Sequence, residues 1–137
     1  MENQVIDEHI LIRASVSTVW QALTDPNITE KYWGNTRIES DWQKGSSVLY
    51  RREGAITDKH VLQEIVPDRL IEHSFRPVFG EFEREAPSLV TILLTPEGPA
   101  TRVSVLHRAF PPFSKVYVAC SAGWPEVLRS LKAFLET

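Results

Sequence analysis

The chain has 137 residues, 42% of them hydrophobic, with 15 Lys and Arg against 18 Asp and Glu and a formal net charge of −3. That length and apolar content suit one domain, spanning residues 1–137, and exclude a disordered chain. The charges are mixed, and no basic stripe interleaved with aromatics is present, which excludes the usual nucleic-acid-binding patterns.

Taken in chain order, the first strand is expected over about Gln4 to Arg13, with Ile6, Ile10 and Ile12 on one side. Ser15 is placed to cap a helix, because its hydroxyl can accept an orphan backbone N–H. That helix carries Val16, Val19, Trp20 and Leu23, and Asp25-Pro26 ends it. Pro26 suits the first turn of a second short helix reaching about Tyr32. Trp33-Gly34-Asn35 reads as a turn. Short strands follow over Thr36 to Ser40, Ser47 to Glu53 and Ile56 to Val66, with a tight reversal at Gly54. Pro67-Asp68 turns the chain into a strand over Arg69 to Phe75. Pro77 to Pro87 reads as a longer loop. Ser88 to Thr95 and Ala100 to Ala109 form a hairpin around Pro96-Glu97-Gly98-Pro99.

Ser114 can cap the last element. From Tyr117 to Leu135 the apolar residues Tyr117, Cys120, Trp124, Val127, Leu128, Leu131, Phe134 and Leu135 follow the spacing of one helix face. Pro125 lies inside this helix and has no N–H for the carbonyl of Ser121, so a kink or restart is expected there. Gly123 beside it leaves room for a backbone or a ligand. The order is one strand, two short helices, six strands and one long helix. Hairpin-length connections make the six strands antiparallel, and the long helix covers one face of the sheet. This is an α+β fold of helix-grip type, with room for a pocket between helix and sheet.

The N-terminal residues are acidic where a secretory leader would be basic, and Cys120 is the one cysteine. Both point to a cytoplasmic protein without an intrachain disulfide. The longest apolar runs are strand-length, so no membrane insertion is expected. Cys120 on the apolar helix face reads as a buried, inert thiol. His9, His60, His73 and His107 show no metal-ligand spacing. No nucleophile elbow, phosphate-cradling loop or dinucleotide fingerprint occurs, and no cofactor is expected.

The segment Ile12-Arg-Ala-Ser-Val-Ser-Thr-Val-Trp-Gln-Ala-Leu-Thr-Asp-Pro26, followed by Trp33-Gly34, resembles the opening signature of the SRPBCC superfamily. Glu64-Ile-Val-Pro-Asp-Arg-Leu70, Gly98-Pro-Ala-Thr-Arg-Val-Ser-Val105 and Ala122-Gly-Trp-Pro-Glu-Val-Leu-Arg-Ser-Leu131 extend the resemblance over nearly the whole chain. These are the relatives of START domains and birch-pollen-allergen-like proteins. The branch most similar to this chain is that of the activator of the ninety-kilodalton heat-shock protein ATPase. The resemblance implies a seven-stranded antiparallel sheet gripping the C-terminal helix around a cavity. It implies little about the ligand, because the superfamily includes lipid carriers, cyclases and hydrolases. The heat-shock activator proper joins such a domain to a second, N-terminal one, whereas this chain begins at the first strand. Chaperone activation is therefore not expected to transfer.

The residues suggest where ligand contacts lie. His73 shares a strand face with Ile71 and Phe75, and His107 with Val103 and Val105. Each is a core histidine satisfied by a hydrogen bond, a polar group lining the pocket, or a metal ligand or catalytic base. Trp33 falls near the expected entrance, and Trp124 and Leu128 lie on the helix stripe. Tyr50 can offer a hydroxyl. The candidate cavity residues are thus Trp33, Tyr50, His73, Phe75, His107, Trp124 and Leu128. Trp20 reads as core and Trp42 as an edge cover. Glu81, Glu83 and Glu85 read as a solvated charged loop, in which Phe79 and Phe82 suit a lid or a partner contact. The expected function is binding of an apolar or amphipathic small molecule by a monomer or homodimer. The alternatives are a cyclase- or hydrolase-type cavity enzyme and a stress- or chaperone-related interaction module.

Overall fold

Ser15 and Asp25 show how closely the local chemistry sets the helix starts. In the computed structural model, which describes residues 4–137, the Ser15 hydroxyl accepts the Thr18 N–H and the Asp25 carboxylate accepts the Asn27 N–H. These caps open α1 (Val16–Thr24) and α2 (Pro26–Tyr32). They follow β1 (Ile6–Ile12). The chain continues through β2 (Thr36–Ser40), β3 (Ser47–Arg52), β4 (Ala55–Val66) and β5 (Leu70–Phe75). After a 3-10 turn (Gly80–Arg84) come β6 (Ser88–Glu97), β7 (Ala100–Arg108) and the closing helix α3 (Lys115–Leu135), capped by Ser114.

The seven strands form one antiparallel sheet in the order β1-β7-β6-β5-β4-β3-β2. Consecutive hairpins run from β2 to β7, and β1 closes onto β7 with Ile6 opposite His107. The edges β1 and β2 are adjacent in sequence, so α1 and α2 carry the chain across the whole width of the sheet. On α3, Val116, Trp124, Leu128 and Leu131 are buried against the core. This is the α+β helix-grip architecture that the order of elements predicts.

Three local features differ from the sequence reading. Helix α3 is one element through Pro125 and does not restart there, because neighbouring turns and the buried stripe hold the helix where one backbone bond is missing. The loop between β5 and β6 contains the 3-10 turn. Trp20 is half-buried at the margin of the core, while Trp42 packs against the core and donates its indole N–H to the Thr24 carbonyl at 3.2 Å. No described helix is long and apolar enough to cross a membrane.

Candidate functional site

The site begins at the β3–β4 hairpin. Glu53 and Gly54 both have positive φ, 51° and 83°, the geometry of a two-residue turn that matches strand twist. Beyond the turn Tyr50 pairs with Asp58 and Arg51 with Ile56, which leaves Thr57 as an extra residue. Such a bulge re-aims the side chains beside it. The Thr57 hydroxyl donates to the Asp58 carboxylate at 2.7 Å. Past the bulge β4 alternates cleanly: Asp58, His60 and Leu62 are buried, while Lys59, Val61 and Gln63 are exposed. Asp58 is therefore a carboxylate on an inward face.

A cavity of about 520 Å3 lies between this hairpin, the C-terminal end of α2 and α3. Its helix side is Val116, Ala119, Cys120, Gly123 and Trp124, the i, i+3, i+4, i+7, i+8 stripe of a helix. Ala119 and Gly123 make the room. A Cβ built on Gly123 meets nothing within 4 Å. The opposite wall is aromatic. The ring of Trp33 lies 5.8 Å from Tyr50 and 5.8 Å from Trp124, both edge-on. Tyr32, Phe75, Phe79, Phe82 and Asp58 also line it, with Arg52 and Glu126 among its exposed members.

The loop bearing Phe79 and Phe82 is pinned in place. Val78 donates its backbone N–H to the Thr57 carbonyl at 2.8 Å. Glu85 accepts from the Ser114 hydroxyl at 2.6 Å and from the N–H groups of Lys115 at 2.6 Å and Val116 at 3.2 Å. A carboxylate there satisfies orphan donors at the start of α3. Glu81 pairs with Lys115 at 2.7 Å. Two of the three loop glutamates thus hold the loop to the helix, a role that their alternating spacing alone did not reveal.

Of the candidate residues, the fold brings Trp33, Tyr50, Phe75 and Trp124 together around the cavity. His73, His107 and Leu128 are buried behind that lining. The His107 ring lies 4.8 Å from Phe75 and 6.3 Å from Trp124, and both of these line the cavity. His107 Nδ1 accepts the Trp124 indole N–H at 3.0 Å, and its Nε2 meets the Ser88 hydroxyl at 2.7 Å. His73 Nδ1 lies 2.6 Å from the Ser74 carbonyl, so this nitrogen carries the proton and donates. Both rings are buried and hydrogen-bonded, the geometry of a core histidine.

His60 was not among the candidates, yet it is central. Its ring stacks on His73 at 4.7 Å and on Phe75 at 4.6 Å, and meets the Tyr50 ring edge-on at 4.6 Å. Its Nδ1 accepts the Arg76 N–H at 2.9 Å, so the proton of the neutral ring sits on Nε2. The sequence signal was available in the alternation of Asp58, His60 and Leu62. Val61 on the other face blurred it.

Burial governs the electrostatics. It holds His73 down at about 4, His107 at about 3 and His60 well below the usual imidazole range. It pushes the Cys120 thiol up to about 12, the opposite of what a nucleophile needs. The Tyr50 hydroxyl is raised well above its usual value, and the Asp58 carboxyl is raised too, in both cases first by desolvation. The arrangement can desolvate an apolar body and offer it a phenol and a carboxyl. No group of three His, Cys, Asp or Glu residues able to hold a metal occurs among the described residues.

Solved structures share this fold. CalU16 from Micromonospora echinospora is 23% identical with a TM-score of 0.76, covering 95% of this chain and 73% of that one. The Aha1 dimer from Colwellia psychrerythraea is 23% identical with a TM-score of 0.78, over 96% of both chains. An HSP90 activator from Plasmodium falciparum, PFC0360w, is 16% identical with a TM-score of 0.79, again over 96% of both. No curated protein matches the sequence. The family model described as activator of Hsp90 ATPase homolog 1-like protein matches residues 13–136, and the chain belongs to that branch of the SRPBCC superfamily.

Proposed function

We propose that this protein binds a hydrophobic or amphipathic small molecule between α3 and the concave face of the sheet. The observation that carries this reading is the open cavity of about 520 Å3, walled by Tyr32, Trp33, Tyr50, Phe75, Phe79, Phe82 and Trp124. Its size falls in the range of small-molecule sites, roughly 300–1,000 Å3, and its apolar lining with a few polar groups matches their chemistry. A protein-interaction role, the one named for the Plasmodium structure, would require no such cavity. A cavity enzyme is the second reading. What favours it is the buried Asp58 carboxyl on the strand pair that also carries Tyr50, a group able to exchange a proton with a bound molecule within an apolar site.

The test uses Gly123. Gly123→Leu projects a side chain into the cavity and gains helix propensity. The wild-type protein should bind the uncharged probe N-phenyl-1-naphthylamine with a change in tryptophan emission. Gly123→Leu should melt no lower and bind the probe at least about tenfold more weakly. Absence of probe binding to the wild type, or equal binding by the variant, would remove the reading. Turnover of a bound compound that collapses in Asp58→Asn with affinity preserved would establish the enzyme instead.

A further inference from the structure

Asp58 is 4% exposed, yet no Lys or Arg reaches its carboxylate within salt-bridge distance among the described residues. A charge removed from water is costly unless it is paired. One oxygen accepts from Thr57. The other lies 3.6 Å from His60 Nε2, too long for a hydrogen bond, and Nε2 is itself buried with no partner. Burial keeps the His60 ring neutral, so it gives Asp58 a dipole and no counter-ion. Arg52 lines the same cavity and its charge acts on Asp58 from beyond salt-bridge distance, but it is exposed, and its Nε is occupied by the Thr36 hydroxyl at 2.8 Å.

A carboxylate therefore faces an aromatic cavity with no cation in contact with it among the described residues. Aromatic faces also attract cations, most strongly when water is excluded. An anionic head group would meet the charge of Asp58, and a neutral hydroxyl would gain a weaker hydrogen bond.

We propose that the molecule bound here is an amphiphile whose inner end is a protonated amine, supplying the cation that Asp58 lacks while its apolar body lies against Trp33 and Trp124. This rests on the small-molecule reading given above.

The test compares decylamine, decanol and decanoate, which share one alkyl chain, by calorimetric titration of the wild-type protein and Asp58→Asn. Decylamine should bind the wild type at least about tenfold tighter than decanol, and decanoate should be the weakest. Asp58→Asn should bring decylamine and decanol to within about threefold of each other. If decanol or decanoate binds as tightly as decylamine, small-molecule binding stands and the amine assignment falls. The same holds if the amine preference survives in Asp58→Asn. If none of the three binds, both fall. The wild-type comparison decides the assignment even if the variant does not fold.

Discussion

The indole N–H of Trp124 donates to Nδ1 of His107 across 3.0 Å, tying α3 to β7 at the centre of the molecule. Because Nδ1 accepts, the neutral ring carries its proton on Nε2 and donates to the Ser88 hydroxyl on β6 at 2.7 Å. One fully buried imidazole thus fixes a helix to two strands, and Trp124 is held where it walls the cavity.

Replacing that imidazole with an apolar group of similar size should be severe. His107→Leu leaves the Trp124 indole N–H and the Ser88 hydroxyl without partners. Each unsatisfied buried group costs about 1–3 kcal/mol, so a loss of about 2–5 kcal/mol is expected in urea unfolding. An unchanged midpoint would show that neither bond contributes to stability.

Acid should destabilise the protein early. His73 and His107 have folded values of about 4 and 3, and His60 is also held well below the usual range. In the unfolded chain a histidine protonates near pH 6.5, so between that pH and the folded values the unfolded state binds more protons. Their contribution is complete above the unfolded value and is lost as pH falls through the window. Each ring adds a slope of up to about 1.4 kcal/mol per pH unit. Asp58, raised on folding, acts in the opposite sense above its unfolded value. Denaturant titrations from about pH 7 to about pH 5 should show stability falling by more than one proton's slope. A flat profile would contradict the burial of the three rings as neutral species.

Glu85 should matter to both the loop and the helix. Glu85→Ala removes three hydrogen bonds at the start of α3. The expected loss is about 1–2 kcal/mol, the scale of an N-cap with a helix-dipole contribution. Hydrogen exchange should quicken at Lys115 and Val116 and in the turn bearing Phe82. Exchange that stays as slow as in the wild type would show that the carboxylate does not hold the loop.

Gly123 offers the reverse effect. Its φ is not in the left-handed region, and an added Cβ enters open space. Gly123→Ala should therefore stabilise the protein by about 0.5–1 kcal/mol through helix propensity and lower chain entropy. It should trim the cavity by only one methyl. A lower melting temperature would mean that the helix needs glycine's backbone freedom beside Pro125.

The sequence by itself determined the elements and their order. Ser15 and Ser114 cap their helices as expected, while Asp25, read from the sequence as the end of α1, also caps α2. Period-2 and period-3.6 patterns reach across only a few residues, so strands and helices are written in them directly. Trp33, Tyr50, Phe75 and Trp124 were legible as cavity candidates because each lies on an inward face or at an entrance turn. Depth within the packed layers was not legible. His73 and His107 share their faces with apolar residues, but only the packing of Phe75 and Trp124 in front of His107 decides that it stands behind the wall. The tertiary structure alone also decided the place of Asp58. Its inward aim depends on the Thr57 bulge and on the β3–β4 register. That no Lys or Arg among the described residues touches it depends on what every neighbouring element does not bring into contact. Period and propensity are local properties of a chain, whereas the solvation and pairing of a buried charge are set by all the groups that surround it in three dimensions.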